Sequence, residues 1–219
     1  MTVCVVGATG ETGQRIVREL VSRQIPVRAI VRDRSSAATV LPEGIEIAVA
    51  DVGNRSGLEA AIGDAKQLIC ATGARPSFNP TGPFQVDYLG TKNLVDACKA
   101  RGVDHFAIVS SLCVSKFLHP LNLFWLVLYW KQQAESYIQQ SGLTYTIVRP
   151  GGLKNEDNAD NIMLAPADTL FEGSIPRAKV AKVCVDALFE PSARNTILEI
   201  VAKPDAPQKS LGELIAALG

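Results

Sequence analysis

Gly7, Gly10 and Gly13 stand at G-x-x-G-x-x-G spacing directly after the apolar run Val3-Cys4-Val5-Val6, and the helical pattern Ile16, Val17, Leu20 follows them. Glycines so placed between a strand and a helix suit an anionic ligand. Gly7 allows a tight turn off the strand, Gly10 lets backbone approach a pyrophosphate with no Cβ in the way, and Gly13 lets the helix pack closely on the strand. The loop residues Thr9, Glu11 and Thr12 share this stretch, where unpaired N–H groups and the positive dipole end of the helix face the phosphates. A glycine triplet alone also fits a plain tight turn, and it is the strand before it and the helix after it that point to a dinucleotide.

Arg32 ends the β-branched stretch over 26–32. In a dinucleotide fold the end of the second strand lies beside the adenosine ribose, roughly 20 residues past the glycines. A carboxylate there binds the 2′-hydroxyl of NAD, whereas a guanidinium pairs with the 2′-phosphate of NADP. Arg32 therefore predicts NADP(H) in preference to NAD(H). Asp33 would restore NAD if it turned to the ribose instead, and a solvated charged turn is the plain alternative. Asp51 and Val52 end the third strand, where a carboxylate accepts from the adenine amine and a valine covers the ring, or where Asp51 caps a helix starting near Asn54. Ala71 ends the fourth strand, and Thr72 and Gly73 open the small loop after it, which again lets backbone approach the cofactor. Ser110 and Ser111 end the fifth, and Pro150, Gly151 and Gly152 stop the sixth.

The elements that must position these residues alternate. Strands are expected over 3–6, 26–32, 45–49, 67–71, 105–109, 144–149 and 197–201, with helices between them. One of these, over 84–101, presents Val86, Leu89, Leu94, Val95 and Ala97 to the core. Such alternation demands parallel strands with right-handed crossovers. The expected fold is α/β, a Rossmann-like doubly wound parallel sheet of order 3-2-1-4-5-6-7, with ligands beyond the carboxyl ends of the strands. Residues 76–83 read as an exposed loop over the site, 155–161 as a polar, mobile segment, and 165–175 as short strand-like pieces. At 219 residues and 47% hydrophobic, the chain supports one domain over 1–219, in which 151–219 build the small substrate-side region.

With 22 basic and 22 acidic residues the formal net charge is zero, which disfavours nucleic acid as a partner. The five cysteines are scattered singly with no metal-ligand spacing, as in a reduced cytoplasmic protein. The start Met1-Thr2-Val3 leads straight into a strand, so no signal peptide is expected, and no run reaches the roughly 20 apolar residues that span a bilayer. The least ordinary stretch is 117–131, read as the start of a helix that is apolar on nearly every face and carries both Trp125 and Trp130. It predicts a self-association or partner face; an apolar substrate entrance or peripheral membrane contact are the alternatives.

Val6-Gly7-Ala8-Thr9-Gly10 with Gly13, Arg32, Asp51-Val52, Asp87-Tyr88-Leu89-Gly90-Thr91 with Asn93, Val109-Ser110-Ser111 and Arg149-Pro150-Gly151-Gly152 together resemble the short-chain dehydrogenase/reductase superfamily, in its atypical, NmrA-like NAD(P)-binding branch. Asn122-Leu123-Phe124-Trp125 through Trp130-Lys131, with Ala134-Glu135, Gly142 and Tyr145, is similar to the NAD(P)-binding part of the plastid translocon subunit that docks ferredoxin–NADP reductase, and to its cyanobacterial relatives. The docking repeats of the plant protein lie in a Pro/Ser-rich tail that this sequence does not include, so docking by that route is not implied.

The resemblance implies a Tyr-x-x-x-Lys pair with a Ser. Lys131 matches the lysine that holds the nicotinamide ribose and Ser111 the serine that orients a carbonyl, but the tyrosine position falls on Val127. A valine transfers no proton, so ordinary carbonyl reduction is put in doubt. Tyr129 lies roughly 200° around a helix from Val127 and is expected to pack with Trp130 instead. The expectation is therefore an NADP(H)-binding reductase-like protein whose turnover, if any, is hydride transfer to quinone, flavin or dye-like acceptors. The alternative is a non-catalytic redox sensor or scaffold acting through 117–130, including at photosynthetic membranes.

Overall fold

A computed structural model describes residues 1–74 and 78–218. Strands β1 (Val3–Val6), β2 (Val27–Val31), β3 (Glu46–Val49), β4 (Gln67–Cys70), β5 (His105–Val109) and β6 (Tyr145–Pro150) alternate with helices α1 (Glu11–Ser22), α2 (Arg34–Ala38), α3 (Arg55–Ile62), α4 (Thr91–Arg101) and α5 (Val127–Gln140). They are followed by β7 (Gly152–Lys154), β8 (Asn161–Ala165), β9 (Ser174–Pro176), α6 (Arg177–Phe189), β10 (Thr196–Lys203) and α7 (Leu211–Ala216). The main sheet has the order β3-β2-β1-β4-β5-β6-β10-β8. This is the expected doubly wound parallel sheet, with β10 as the seventh strand in the predicted order.

Alternation within the strands builds the two layers. Val3 and Val5 of β1 face α1, α6 and α7, whereas Cys4 and Val6 face α3, α4 and α5. The central strands are therefore buried on both faces and read as continuous apolar runs. Gly7, Thr72, Ser110 and Gly151 all emerge at the carboxyl edge of this sheet.

Four expectations need correction. The segment 155–161 is not a free loop: Arg15 donates to Asn155 O, Arg177 to Asn155 Oδ1 and Lys179 to Asn158 O. It runs directly into β8, which closes the sheet edge antiparallel to β10 with Leu164 opposite Ile200. In place of strand-like pieces at 168–171, Asp168 has φ +63°. The backbone N–H groups of Asp168, Thr169 and Leu170 donate to the buried Glu199 carboxylate, which wraps the turn around a fixed charge.

The helix expected from 117 begins only at Val127. Pro120–Leu123 is a single 3₁₀ turn, and Trp125 and Leu126 have φ of +59° and +57°, left-handed conformations that break helical continuity. Asn122 explains the start. Its Oδ1 accepts the N–H groups of Leu128 and Tyr129 at 2.9 and 3.2 Å, the role of an N-cap performed from outside the helix, and its Nδ2 donates to Phe117 O. The apolar side chains of 117–126 are left on the surface, with Leu118 93% and Leu123 83% exposed.

The helix expected over 84–101 has two parts. Phe84–Gly90 is a wide π-helical turn that continues into α4. The extra residue per turn brings Asp87 to the inside and leaves Val86 half-buried and Leu89 exposed, against the core face expected of them. Among the described residues no helix is long and apolar enough to cross a membrane.

Candidate functional site

Gly7 has φ +78°, and a Cβ there would lie 2.8 Å from Ala71 O, so both the turn and the close passage of the loop after β4 require glycine. At Gly13 a Cβ would lie 2.1 Å from Gly7 O. The helix thus packs against the loop's own backbone, tighter than the strand contact expected of it. Gly10 is the N-cap residue of α1 in extended conformation, and no side chain caps the helix. Gly10 N donates to Gly7 O and Gln14 Nε2 to Thr9 O, which hold the loop against the first turn. Glu11 pairs outward with Arg15 at 3.0 Å, so the helix start stays open to an anion.

A cleft of about 610 Å³ runs from this loop along the sheet edge, within the size range of cofactor pockets. Gly7, Thr9, Gly10, Arg32, Asp51, Val52, Ala71, Thr72 and Gly73 line it, joined by Asn79, Gly82, Val86, Leu89 and Asn93. Of the loop predicted over 76–83, residues 76 and 77 lie outside the described residues.

The charged groups at the far wall are sorted by their neighbours. Asp33 caps α2, accepting from the Ser35 hydroxyl and from Ser35 N and Ser36 N, and these bonds, the hydroxyl's first, hold its carboxyl below the usual range. Arg34 donates to Ile47 O. Arg32 is exposed on the cleft wall, with no ion pair among the described residues. Asp51 does not cap α3, because Asn54 does, accepting from Gly57 N. It accepts instead from Gly53 N at 2.7 Å and stays on the cleft wall. Val52 is fixed from both sides: Asn93 Nδ2 donates to its carbonyl, and a Cβ on Gly90 would lie 2.7 Å from its Cγ2.

Beyond Thr72 the cleft narrows to a pocket of about 10 Å³, room for a single water, lined by Asp87, Ser110, Lys131 and Glu135 among others. Lys131 Nζ lies 2.8 Å from Asp87 Oδ1. Burial alone would lower the lysine's affinity for its proton, but the Asp87 carboxylate outweighs it and holds the ammonium above its ordinary range. The Ser110 hydroxyl donates to Glu135. Arg149 binds the same carboxylate and reaches Glu199 at 3.1 Å and Asp168 at 2.9 Å, a buried ionic chain behind the pocket.

Ser110, rather than Ser111, enters the pocket with Lys131; Ser111, one residue on along the chain, lines neither cavity. Glu11, Thr12 and Gly13, and Pro150, Gly151 and Gly152, are not among the residues that line the cleft. Gly151 packs instead under the turn at Gly173, where a Cβ would lie 2.6 Å from Gly173 O. Val127 opens α5 one turn before Lys131 and packs with Leu112, Cys113 and Leu128. Tyr129 does pack with Trp130, ring centroids 5.0 Å apart. The sequence reading missed Asp87 and Glu135 as partners of the pocket. A carboxylate four residues from Lys131 on one helix was the available signal for Glu135, whereas Asp87 depends on the wide turn.

A parallel Rossmann sheet, a glycine bend under an uncapped helix and a cleft across the strand ends define a nicotinamide-dinucleotide-binding protein of the short-chain dehydrogenase/reductase class. The family model described as NAD(P)H-binding matches residues 7–191, and the chain belongs to that family, within its atypical branch. It is 47% identical to the uncharacterized chloroplastic protein At2g34460 of Arabidopsis thaliana, over 99% of this chain and 82% of that one. It is 37% identical to the chloroplastic protein TIC 62 of Pisum sativum over 99% of this chain, and spans 46% of that protein's length. Sanguinarine reductase of Eschscholzia californica is 32% identical over 94% of this chain and 90% of the enzyme. Among solved structures, a putative NAD-dependent epimerase/dehydratase from Bacillus halodurans superposes with a TM-score of 0.88 at 25% identity, covering 100% of both chains.

Proposed function

We propose that this chain is an NADP(H)-binding reductase-like protein, working as a single domain over 1–219 with 151–219 as its substrate side. The adenosine half lies in the large cleft. Its pyrophosphate meets the loop from Gly7 to Gly13, its 2′-phosphate meets Arg32, and Asp51 and Val52 border the adenine. The nicotinamide half reaches Thr72, Gly73, Ser110 and Lys131. The observation that carries the cofactor choice is Arg32 on the cleft wall, with Asp33 occupied as a helix cap and Arg34 on a strand carbonyl. A guanidinium attracts a phosphate and offers a ribose diol little.

Turnover in this reading is hydride transfer to a quinone, flavin or dye-like acceptor that takes its proton from water, because Val127 has none to give. A relative named for reducing sanguinarine supports that class of acceptor. The test is NADPH oxidation by purified protein with quinone, flavin and dye acceptors, alongside calorimetry of NADPH and NADH. Arg32→Asp is expected to weaken NADPH far more than NADH. Equal effects on both would sink the 2′-phosphate assignment, and binding without oxidation of any acceptor would sink the reductase.

The exposed apolar side chains of 117–126 favour a second reading, an NADP(H) sensor or scaffold that meets a protein partner, a second copy or a photosynthetic membrane surface through that segment. It takes precedence if binding is retained and no acceptor is reduced.

A further inference from the structure

Asp87 is 3% exposed and lies in the wide turn Phe84–Gly90, whose neighbours Val86 and Leu89 face the large cleft. One of its oxygens accepts the backbone N–H of Ala74 at 3.2 Å, and the other lies 2.8 Å from Lys131 Nζ. A Cβ on Gly73 would lie 3.7 Å from Asp87 Oδ1 and 3.9 Å from Lys131 Nζ, so the ion pair sits directly against the loop that walls the cleft. One carboxylate therefore ties together the loop after β4, the wide turn and α5.

We propose that Asp87 is a positioning residue for Lys131, fixing the ammonium at the inner end of the cleft with its remaining N–H donors open to the nicotinamide half of a bound dinucleotide. This rests on the reading above that Lys131 meets that half. The ion pair with Asp87 at 2.8 Å holds the ammonium against the wide turn, and the donors of its other side are left for a ligand.

The groups facing Lys131 are Asp87 from the wide turn, Glu135 from its own helix and Cys70 from β4, with the neutral Thr72 and Ser110 completing the pocket. Burial disfavours the ammonium, and Asp87 is the largest influence opposing it. Without that carboxylate, burial dominates and Lys131 releases its proton below its ordinary range.

The test measures binding of NADPH and of 2′,5′-ADP, a probe without the nicotinamide half, by calorimetry on the full chain between about pH 6 and 10. The variant is Asp87→Asn, whose amide oxygen still accepts the Ala74 N–H. Titration of the 2′-phosphate is common to both probes and cancels in the ratio of their affinities. In the wild type that ratio is expected to stay flat. In Asp87→Asn it is expected to fall roughly ten- to hundred-fold as pH rises, the loss of one charge-assisted hydrogen bond, while 2′,5′-ADP binding stays at the wild-type level.

A flat ratio in the variant, equal to that of the wild type, overturns the proposal. Lys131→Met separates it from the underlying reading: NADPH binding as tight as the wild type's would show that the lysine never met the nicotinamide half. If Asp87→Asn does not fold, a carbon-13 NMR titration of the Lys131 side chain in the wild type decides. A midpoint above the ordinary 10.5 supports the proposal, and one below it overturns it.

Discussion

Arg149 grips the Glu135 carboxylate through Nη2 at 2.7 Å and Nε at 3.1 Å, and the same carboxylate accepts the Ser110 hydroxyl. The guanidinium also reaches Glu199, whose other bonds hold the turn at 168–170. Strand β6, helix α5 and the turn at 168–170 are thus joined by one buried cation.

Arg149→Met leaves Glu135 and Glu199 buried without their counter-ion. Loss of a buried partner costs roughly 3–5 kcal/mol, and the variant is expected to unfold at correspondingly lower urea concentration. An unchanged midpoint would show that the chain contributes nothing net to stability.

Gly13→Ala places a Cβ 2.1 Å from Gly7 O, backbone that cannot give way cheaply. A cost of at least about 1–3 kcal/mol is expected, together with a loss of nucleotide affinity as the loop is pushed off its turn. Thermal unfolding and NADPH calorimetry check both parts.

Asn122→Ala removes the acceptor shared by the Leu128 and Tyr129 amides. Roughly 0.5–2 kcal/mol of stability should be lost, as for other caps. Hydrogen exchange at those two amides should accelerate before exchange elsewhere in α5. Uniform acceleration along the helix would contradict a local cap.

Leu118, Leu123 and Phe124 are exposed, whereas Trp130 is packed against Phe84, Tyr88 and Tyr129, so the interaction face is tested with the first three. Replacing them together by serine is expected to abolish any self-association or co-sedimentation with vesicles. Stability should change little, since surface substitutions typically alter it by less than about 0.5 kcal/mol each. Unaltered sedimentation behaviour would remove the interaction reading.

The Tyr137 hydroxyl donates to Asp96 at 2.6 Å, and that bond, with burial second, pushes its pKa up to about 12. The folded form therefore holds this proton at a pH where an unfolded tyrosine, near 10, has lost it. Its contribution to stability is complete below about pH 10 and is lost as pH rises toward 12. Ultraviolet titration should show the Tyr137 phenol ionising late, and Asp96→Asn should bring its midpoint down.

What was legible in the sequence was whatever depended on local pattern. The apolar runs over 3–6, 67–70 and 105–109 are buried on both faces and announce themselves as central strands. The glycine loop, Arg32 and Asp51 carried their position along the chain into the cleft. What escaped depended on distant partners. Strand β8 exists through pairing with β10 some forty residues away, and the 168–170 turn through Glu199. The apolar composition of 117–126 suggested a helix, and only the left-handed Trp125 and Leu126 and the side chain of Asn122 set its start at Val127. Which of Ser110 and Ser111 faces Lys131 depended on one step of strand alternation, too fine for a motif to resolve.

The wide turn Phe84–Gly90 behaves as a gear between two lengths of helix. One residue more or fewer rotates everything upstream by about 100° relative to everything downstream. Shortening it by one residue would carry Asp87 away from Lys131 while α4 kept its grip on the sheet. The reach of a lysine on one helix is thus set by a count of residues on another.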